Sequence, residues 1–329
     1  MQSTGPTTLN ASEQLHVAAA AAAAPSVFNT QPWTFTFTGR GLEVRTDPDD
    51  ASMPTASAAR DVRLSCGAAV FNARTALARL GLASRVSVLP VAGDPLLVAR
   101  VDVTGDAPDP ALDELYRWVG SRRTNRYPFR PERIPAEVLA LLHDAARREG
   151  ATLRLLDGEP EYQRMLTSIR RATWTEDESV RDDRDARLSP GTGQPAIPAG
   201  NLGPVPRREF PDDPPVRDMA EGLGIPGRGS AAFEPRPELA VLETAHDDPR
   251  SWVTAGQALQ RLLLEATGHG IAASFANQPL EDDGLRPEVS GGAAHYGCPQ
   301  MVLRMGYATA QPPASPRRPL SEVVRTVRG

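Results

Sequence analysis

Two periods alternate along the chain. Trp33-Thr-Phe-Thr-Phe-Thr38 repeats at period two, turns at Gly39-Arg40-Gly41, and resumes in Leu42-Glu-Val-Arg45, which predicts a β-hairpin. An Ala-rich helix precedes it, with Ser12 expected as N-cap, Glu13 in its first turn, and an end near Ala24 imposed by Pro25. A helical period follows from about Arg60 to Leu80, its apolar line being Val62, Cys66, Ala69, Val70, Ala73, Leu77 and Leu80, with Gly81 as its stop. Strands are predicted at Arg85 to Leu89 and Leu96 to Val103, then a short helix from Ala111 to Val119. Pro135 opens a helix that Gly150 closes, Ala151 to Leu156 reads as a strand, and Glu159 to Thr173 as a helix. Residues 175–237 are rich in Pro, Gly, Asp and Arg without a sustained period, as expected of a lid, a partner arm or a disordered segment. A strand from Glu238 to Thr244, a helix from Pro249 to His269 capped by Asp248, a strand from Pro299 to Tyr307, and a tail from Pro319 complete the pattern.

The pattern occurs twice, at an offset of 189 residues. Gly67-Ala68-Ala69-Val70 stands against Gly256-Gln257-Ala258-Leu259, and Gly81-Leu82-Ala83 against Gly270-Ile271-Ala272. In each copy a small-residue helix stops at Gly and a Val/Leu-rich strand follows, which points to internal duplication.

Composition narrows the class. The 329 residues are 40% hydrophobic and 23% charged, as in a soluble globular protein, and the net charge of −5 gives no reason to expect a nucleic-acid partner. No apolar run reaches the roughly 20 residues of a membrane helix, so no membrane partner is expected. Cys66 and Cys298 lie far apart without metal-ligand spacing, and the five histidines form no metal motif; a cytoplasmic setting with free thiols is expected. All 36 basic residues are Arg, so any bound phosphate must be held by Arg or by backbone N–H groups.

Two stretches could carry chemistry. Pro25-Ser26-Val27-Phe28-Asn29-Thr30-Gln31-Pro32-Trp33 sets a hydroxyl and two carboxamides in a Pro-stiffened loop, which could read the polar edge of a flat heterocycle; it also reads as a helix stop before a strand. Arg122-Arg123-Thr124-Asn125-Arg126 sets three guanidinium groups and a hydroxyl within five residues, which suits a phosphate; it also reads as a solvated basic turn.

The first stretch resembles the isoalloxazine-contacting loop of the nitroreductase family of FMN enzymes, and the second resembles that family's Arg-Arg-Ser-x-Arg phosphate grip, with Thr for Ser. The order of the two is reversed relative to an ordinary nitroreductase, which fits two fused repeats in one chain, as in the Acg-type branch. Ser65-Cys66-Gly67-Ala68-Ala69, Ala272 to Glu281 and Pro299 to Gly306 extend the resemblance over nearly the whole chain. It implies an α+β nitroreductase-like fold of two repeats, each a mixed, mostly antiparallel sheet packed with helices: residues 1–108 with the ring loop, and 109–329 with the phosphate grip and the insertion 175–237. It implies FMN held by Arg122, Arg123, Thr124 and Arg126 at the phosphate and by Pro25, Ser26, Asn29 and Gln31 at the ring. Asn277 and Gln278 would pass the flavin N5 edge, and Arg317 or Arg318 would add to the phosphate grip. One site is expected per chain, in a monomeric pseudo-dimer or a homodimer. The implied function is an oxidoreductase using NAD(P)H as reductant and a nitro-aromatic, quinone or ene as small-molecule acceptor. The other reading is an FMN-sequestering protein with little turnover. No side chain is marked as acid or base, the chemistry being the flavin's.

Overall fold

The computed structural model describes residues 8–39, 41–47, 56–174, 197–207, 216–221, 225–290 and 297–325. The chain forms two compact units: Met1–Arg122 with Asp248–Leu264 and Arg317–Gly329, and Arg123–Asp247 with Glu265–Pro316. The first unit takes in most of a later helix, Asp248–Leu264, and the C-terminal segment.

In the first unit, helix α1 (Ala11–Ala22) leads to strands β1 (Trp33–Thr38) and β2 (Gly41–Thr46), then to the long helix α2 (Ala56–Arg79), strands β3 (Ala83–Val88) and β4 (Leu97–Thr104), and helix α3 (Pro110–Tyr116). The cap of α1 is Asn10, not Ser12. Asn10 accepts from the Glu13 N–H at 3.0 Å and Glu13 accepts from the Asn10 N–H at 2.8 Å, a reciprocal capping box that starts the helix earlier. The hairpin pairs Trp33 with Thr46 through Thr38 with Gly41, as the alternation requires. Trp33 and Phe35 are fully buried and stack at 6.3 Å between ring centroids. Burying a side chain such as Phe35 is worth about 1.5–3 kcal/mol. α2 packs under β2, β3 and β4 and against α1 and α3.

The second unit contains helix α4 (Ala136–Arg148), strand β5 (Thr152–Leu155) and helix α5 (Glu159–Trp174). Within the insertion, β6 (Val205–Pro206) and β7 (Ser230–Ala231) form a short parallel pair. Strand β8 (Glu238–Thr244) precedes helix α6 (Pro249–Gly268), and strands β9 (Ile271–Phe275) and β10 (Cys298–Tyr307) follow it. The sequence reading leaves β9 unassigned. Ile-Ala-Ala-Ser-Phe lacks the β-branched run that marks strands, and its ladder comes from β10, which pairs Leu303 with Phe275 through Tyr307 with Ile271. Leu166, Ile169, Leu239, Val241 and Val302 form the core between this sheet and α5.

The two sheets share one topology. The first runs β1-β2-β4-β3 and the second β5-β8-β10-β9, every neighbouring pair antiparallel. In each, a long helix connects the second strand of that order to the last, an edge strand, so the chain is two repeats of one α+β unit. The first sheet carries an addition. The segment read as a tail forms a turn at Leu320–Val323 and a strand, β11 (Val324–Arg325), parallel to β1.

Within the first unit, α2 and the start of α6 lie in contact at the repeat-related glycines. A Cβ on Gly67 would stand 3.0 Å from the Gly256 Cα, and one on Gly256 would stand 2.9 Å from the Gly67 Cα. The contacts are reciprocal: Gly67 abuts the Val253 carbonyl, Gly256 abuts the Leu64 carbonyl, and Leu64 and Val253 are themselves 189 residues apart. Asn72 bonds Gln260 at 2.7 Å, while Phe71 faces the Arg261 guanidinium at 5.7 Å, again an exchanged pair at the same offset. This is the self-complementary pattern of a two-fold interface, carried by one chain.

Gly67→Ala is expected to lower stability by about 1–3 kcal/mol, because neither backbone can yield locally. Gly93→Ala, with nothing within 4 Å of the added atom, should stay within about 0.5 kcal/mol of the parent in urea denaturation.

Candidate functional site

The loop after α1 is held by side chains at a cost in backbone strain. Phe28, Asn29 and Gln31 have φ of 44°, 61° and 54°. Asn tolerates this region; Phe and Gln are strained there, at about 1–3 kcal/mol each. The loop's own polar groups offset that cost. Ser26 Oγ accepts from the Gln31 N–H at 3.0 Å, and Thr30 donates to the Val27 carbonyl at 2.9 Å. From α2, Ser65 Oγ accepts from the Val27 N–H at 3.1 Å and donates to the Asp61 carbonyl at 2.7 Å, and Cys66 Sγ lies 3.7 Å from the Pro32 carbonyl. Ser65-Cys66-Gly67 thus does two jobs in three residues, fixing the loop and admitting α6.

The C-terminal segment clamps the same loop. Arg317 donates to Asn29 Oδ1 at 2.6 Å and to the Ala23 and Ala24 carbonyls at 3.1 and 3.3 Å, where the last carbonyls of α1 favour a cation. The Arg318 N–H donates to Gln31 Oε1 at 2.9 Å. Gln31 is fully buried, and its Nε2 donates to the Asn29 carbonyl at 3.2 Å. Pro25, Ser26, Asn29, Gln31, Arg317 and Arg318 are therefore brought together in the first unit, with Gln31 tying the loop to the chain end. Phe28 is half-buried and stands outside the unit's hydrophobic cluster. Arg122, buried on the same unit, follows a turn in which its N–H donates to the Trp118 carbonyl at 2.9 Å.

Arg123, Thr124, Arg126, Asn277 and Gln278 belong to the second unit. Thr124 bridges Ala273 at the edge of β9, and the Asn125 N–H donates to the Ala273 carbonyl at 2.9 Å, so the strand fixes the Arg-rich turn. Asn125 Nδ2 donates to the Ala310 carbonyl at 2.8 Å. Insertion residues lie on the same turn: Arg126 donates to the Asn201 carbonyl at 3.1 Å, and Tyr127 to the Gly200 carbonyl at 3.0 Å. Gly203, at φ +73°, passes so close that a Cβ would stand 2.9 Å from the Arg126 carbonyl carbon. Asn277 is turned to β10, its Oδ1 accepting from the Val302 N–H at 2.9 Å.

Arg126 is the electrostatic exception. Among the described residues it makes no ion pair, and its one hydrogen bond goes to a neutral carbonyl. Desolvation by burial, and then the neighbouring Arg217 cation, push its pKa down to about 10. At about 1.4 kcal/mol per unit, a drop from 12.5 is a cost on the order of 3 kcal/mol for keeping it charged. It borders a cavity of about 50 Å³ whose polar wall also includes Arg217, Ser274, Gln278 and Arg304. Arg304 is buried and paired with Glu234 at 2.5 Å, and the Phe129 ring lies 3.9 Å from its guanidinium carbon. Burial still lowers its pKa, with Glu234 partly offsetting the shift. Sequence reasoning passed over Arg217 and Arg304. Arg217 sits in a stretch without period, whereas Arg304 left a signal, a lone charge inside the apolar run Met301-Val-Leu-Arg-Met305. Among the described residues no group of His, Cys, Asp and Glu could hold a metal, and no helix is long and apolar enough to cross a membrane.

Comparison with known proteins gives relatives over nearly the full length. A Mycobacterium tuberculosis (strain H37Rv) protein named "Putative NAD(P)H nitroreductase Rv3131" is 34% identical over 314 residues, covering 92% of this chain and 88% of its own. "Putative NAD(P)H nitroreductase acg" of the same strain is 28% identical over 319 residues, covering 91% of each. Among solved structures, the FMN-dependent nitroreductase NfnB of Mycobacterium smegmatis in complex with NADPH is 21% identical, covering 67% of this chain and 99% of that one at a TM-score of 0.41. No family model matches the chain.

Gln31→Leu removes the acceptor for the Arg318 N–H and the donor to the Asn29 carbonyl. Each buried group left unmade costs about 1–3 kcal/mol, so a loss of that order should appear in urea denaturation.

Proposed function

The chain belongs to the NAD(P)H nitroreductase family, in its Acg-type branch, and on that premise we propose that it is an FMN-dependent NAD(P)H oxidoreductase. The observation that carries this is Arg126: a desolvated guanidinium, depressed to about 10 and without a carboxylate partner among the described residues, lacks the anion that would restore it. A phosphate monoester supplies that charge with acceptor oxygens suited to a guanidinium. The residues present therefore fit FMN. NfnB, crystallised with NADPH, is described as FMN-dependent.

In this reading Arg122, Arg123, Thr124 and Arg126 hold the phosphate, and the loop bearing Ser26, Asn29 and Gln31 faces the ring. Because the Arg317 and Arg318 contacts hold that loop, it reaches the ligand already ordered, which lowers the entropy cost of binding. Asn277 and Gln278, in the turn after β9, pass the flavin N5 edge in this reading. Bound FMN supplies two-electron chemistry between a reduced nicotinamide and an acceptor. The chain's own part is to bind, orient and exclude water. The acceptors we favour are nitro-aromatics, quinones or enes, and the setting is cytoplasmic.

A second reading, sequestration of FMN with little turnover, draws on one observation: insertion residues Asn201 and Gly203 already lie on the Arg126 turn. The insertion could then cover bound flavin. Anaerobic addition of NADPH or NADH to the yellow protein separates the two. Rapid bleaching supports the enzyme, and persistent colour supports storage.

We expect one non-covalent FMN per chain, because only one loop and one Arg cluster of these types occur in the sequence. Arg126→Ala should weaken FMN by about 10- to 100-fold, the loss of one charge-assisted hydrogen bond of about 1.5–3 kcal/mol. It should empty the whole population rather than half. The measurement is released flavin per mole of chain, and a ratio near two would overturn the single-site reading.

A further inference from the structure

The cavity beside Arg126 has a second cationic wall. Arg217 reaches it from the insertion, on the described segment that also brings Val216 and Met219 to the lining. The segment is anchored from outside the cavity. Arg228 bonds Asp218 at 2.6 Å and the Gly203 carbonyl at 3.0 Å, and Asp218 accepts from the Ala220 N–H at 3.0 Å. The Arg217 side chain is 11% exposed and pairs with Glu281 at 3.1 Å. Counting the ionised groups around the cavity, Glu234 answers Arg304 and Glu281 answers Arg217. Among the described residues Arg126 has no carboxylate partner of its own.

Size then selects the ligand. About 50 Å³ suits a group of a few heavy atoms, since an engineered cavity that takes benzene is about 150 Å³. Leu166, Ile169 and Leu239 line the remainder, and such walls strengthen attraction to an anion by keeping the local dielectric low.

We propose that Arg217 is an anion ligand, which with Arg126 forms a pocket for a single phosphate or carboxylate group and thereby ties the insertion to the bound anion. Two sources share that chemistry: the phosphate of FMN, in which case the inference rests on the function proposed above, or the charged group of a separate acceptor. The test uses the full chain, inorganic phosphate, FMN and riboflavin. In the flavin-free protein, phosphate should raise the melting temperature, and Arg217→Met should weaken that response at least tenfold. Glu281→Gln is the control. If Arg217 serves only its ion pair, both variants should lose phosphate alike. If Arg217 is an anion ligand, Glu281→Gln should bind phosphate as well as the parent or more tightly, because the competing carboxylate is gone. If Arg217→Met also weakens FMN tenfold while leaving riboflavin unchanged, the anion is the flavin's phosphate. Loss of the phosphate response with unchanged FMN assigns the pocket to another ligand. An unchanged phosphate response in Arg217→Met, or equal losses in both variants, overturns the proposal. Failure of the parent to bind either flavin would sink the flavin reading alone, since the phosphate arm still decides the pocket.

Discussion

The first unit depends on one close approach. Gly67 and Gly256 let two helix backbones meet where any side chain would hold them apart. From that contact the rest of α2 is fixed in rotation, so Ser65 and Cys66 reach the loop after α1, and Ala69, Val70, Ala73 and Leu77 lie in the unit's core. The loop's left-handed residues persist because this surface and the chain end both over-determine them. A strained turn anchored at only one end would relax to cheaper backbone angles. The Arg317 and Arg318 contacts supply the second anchor, which gives the segment after Pro316 a structural role that its basic, Pro-rich composition conceals.

In the second unit the governing fact is electrostatic. Three guanidinium groups border one small cavity, and two of them have carboxylates opposite. Folding places Arg126 there at an energetic cost through local geometry alone: the Thr124 bridge, the Asn125 bond to Ala273, and the close passage of Gly203 leave its backbone no alternative. The anion proposed for this cavity would offset that cost.

Most of the fold was legible in the sequence. The hairpin at Trp33–Thr46, α2, α4, β8 and α6 all follow from period and punctuation, because each pairs a clean apolar face with a Gly or Pro boundary. β9 was not legible, since Ala272-Ala273-Ser274 carries no strand preference and is a strand only because β10 lies beside it. The cap of α1 was misplaced because Asn10 and Ser12 are both good N-caps, and only the reciprocal bond with Glu13 decides between them. For the site, residue types were legible but not their partners. Gln31 and Asn277 look like ligand-reading amides in sequence, yet each has its carboxamide oxygen on a backbone N–H of its own unit. Arg217 could not be found by pattern at all, because its placement depends on the path of an aperiodic segment. Expectations for residues 175–196 fall outside the described residues.

The helix pair has a further consequence. In an assembly of identical chains, a residue on the two-fold axis meets its own copy, and every contact is duplicated with the same chemistry. Here one gene encodes both sides, so the mirrored positions have diverged. Arg63 lies 5.8 Å from the Trp252 ring, a cation against an aromatic face at positions 189 residues apart. Two copies of either half would set guanidinium against guanidinium, or indole against indole. At the exchanged pair, an amide–amide bond on one side answers a cation over Phe71 on the other. Heterotypic pairs of this kind are closed to two identical copies of either half, although the reciprocal glycine contact is not.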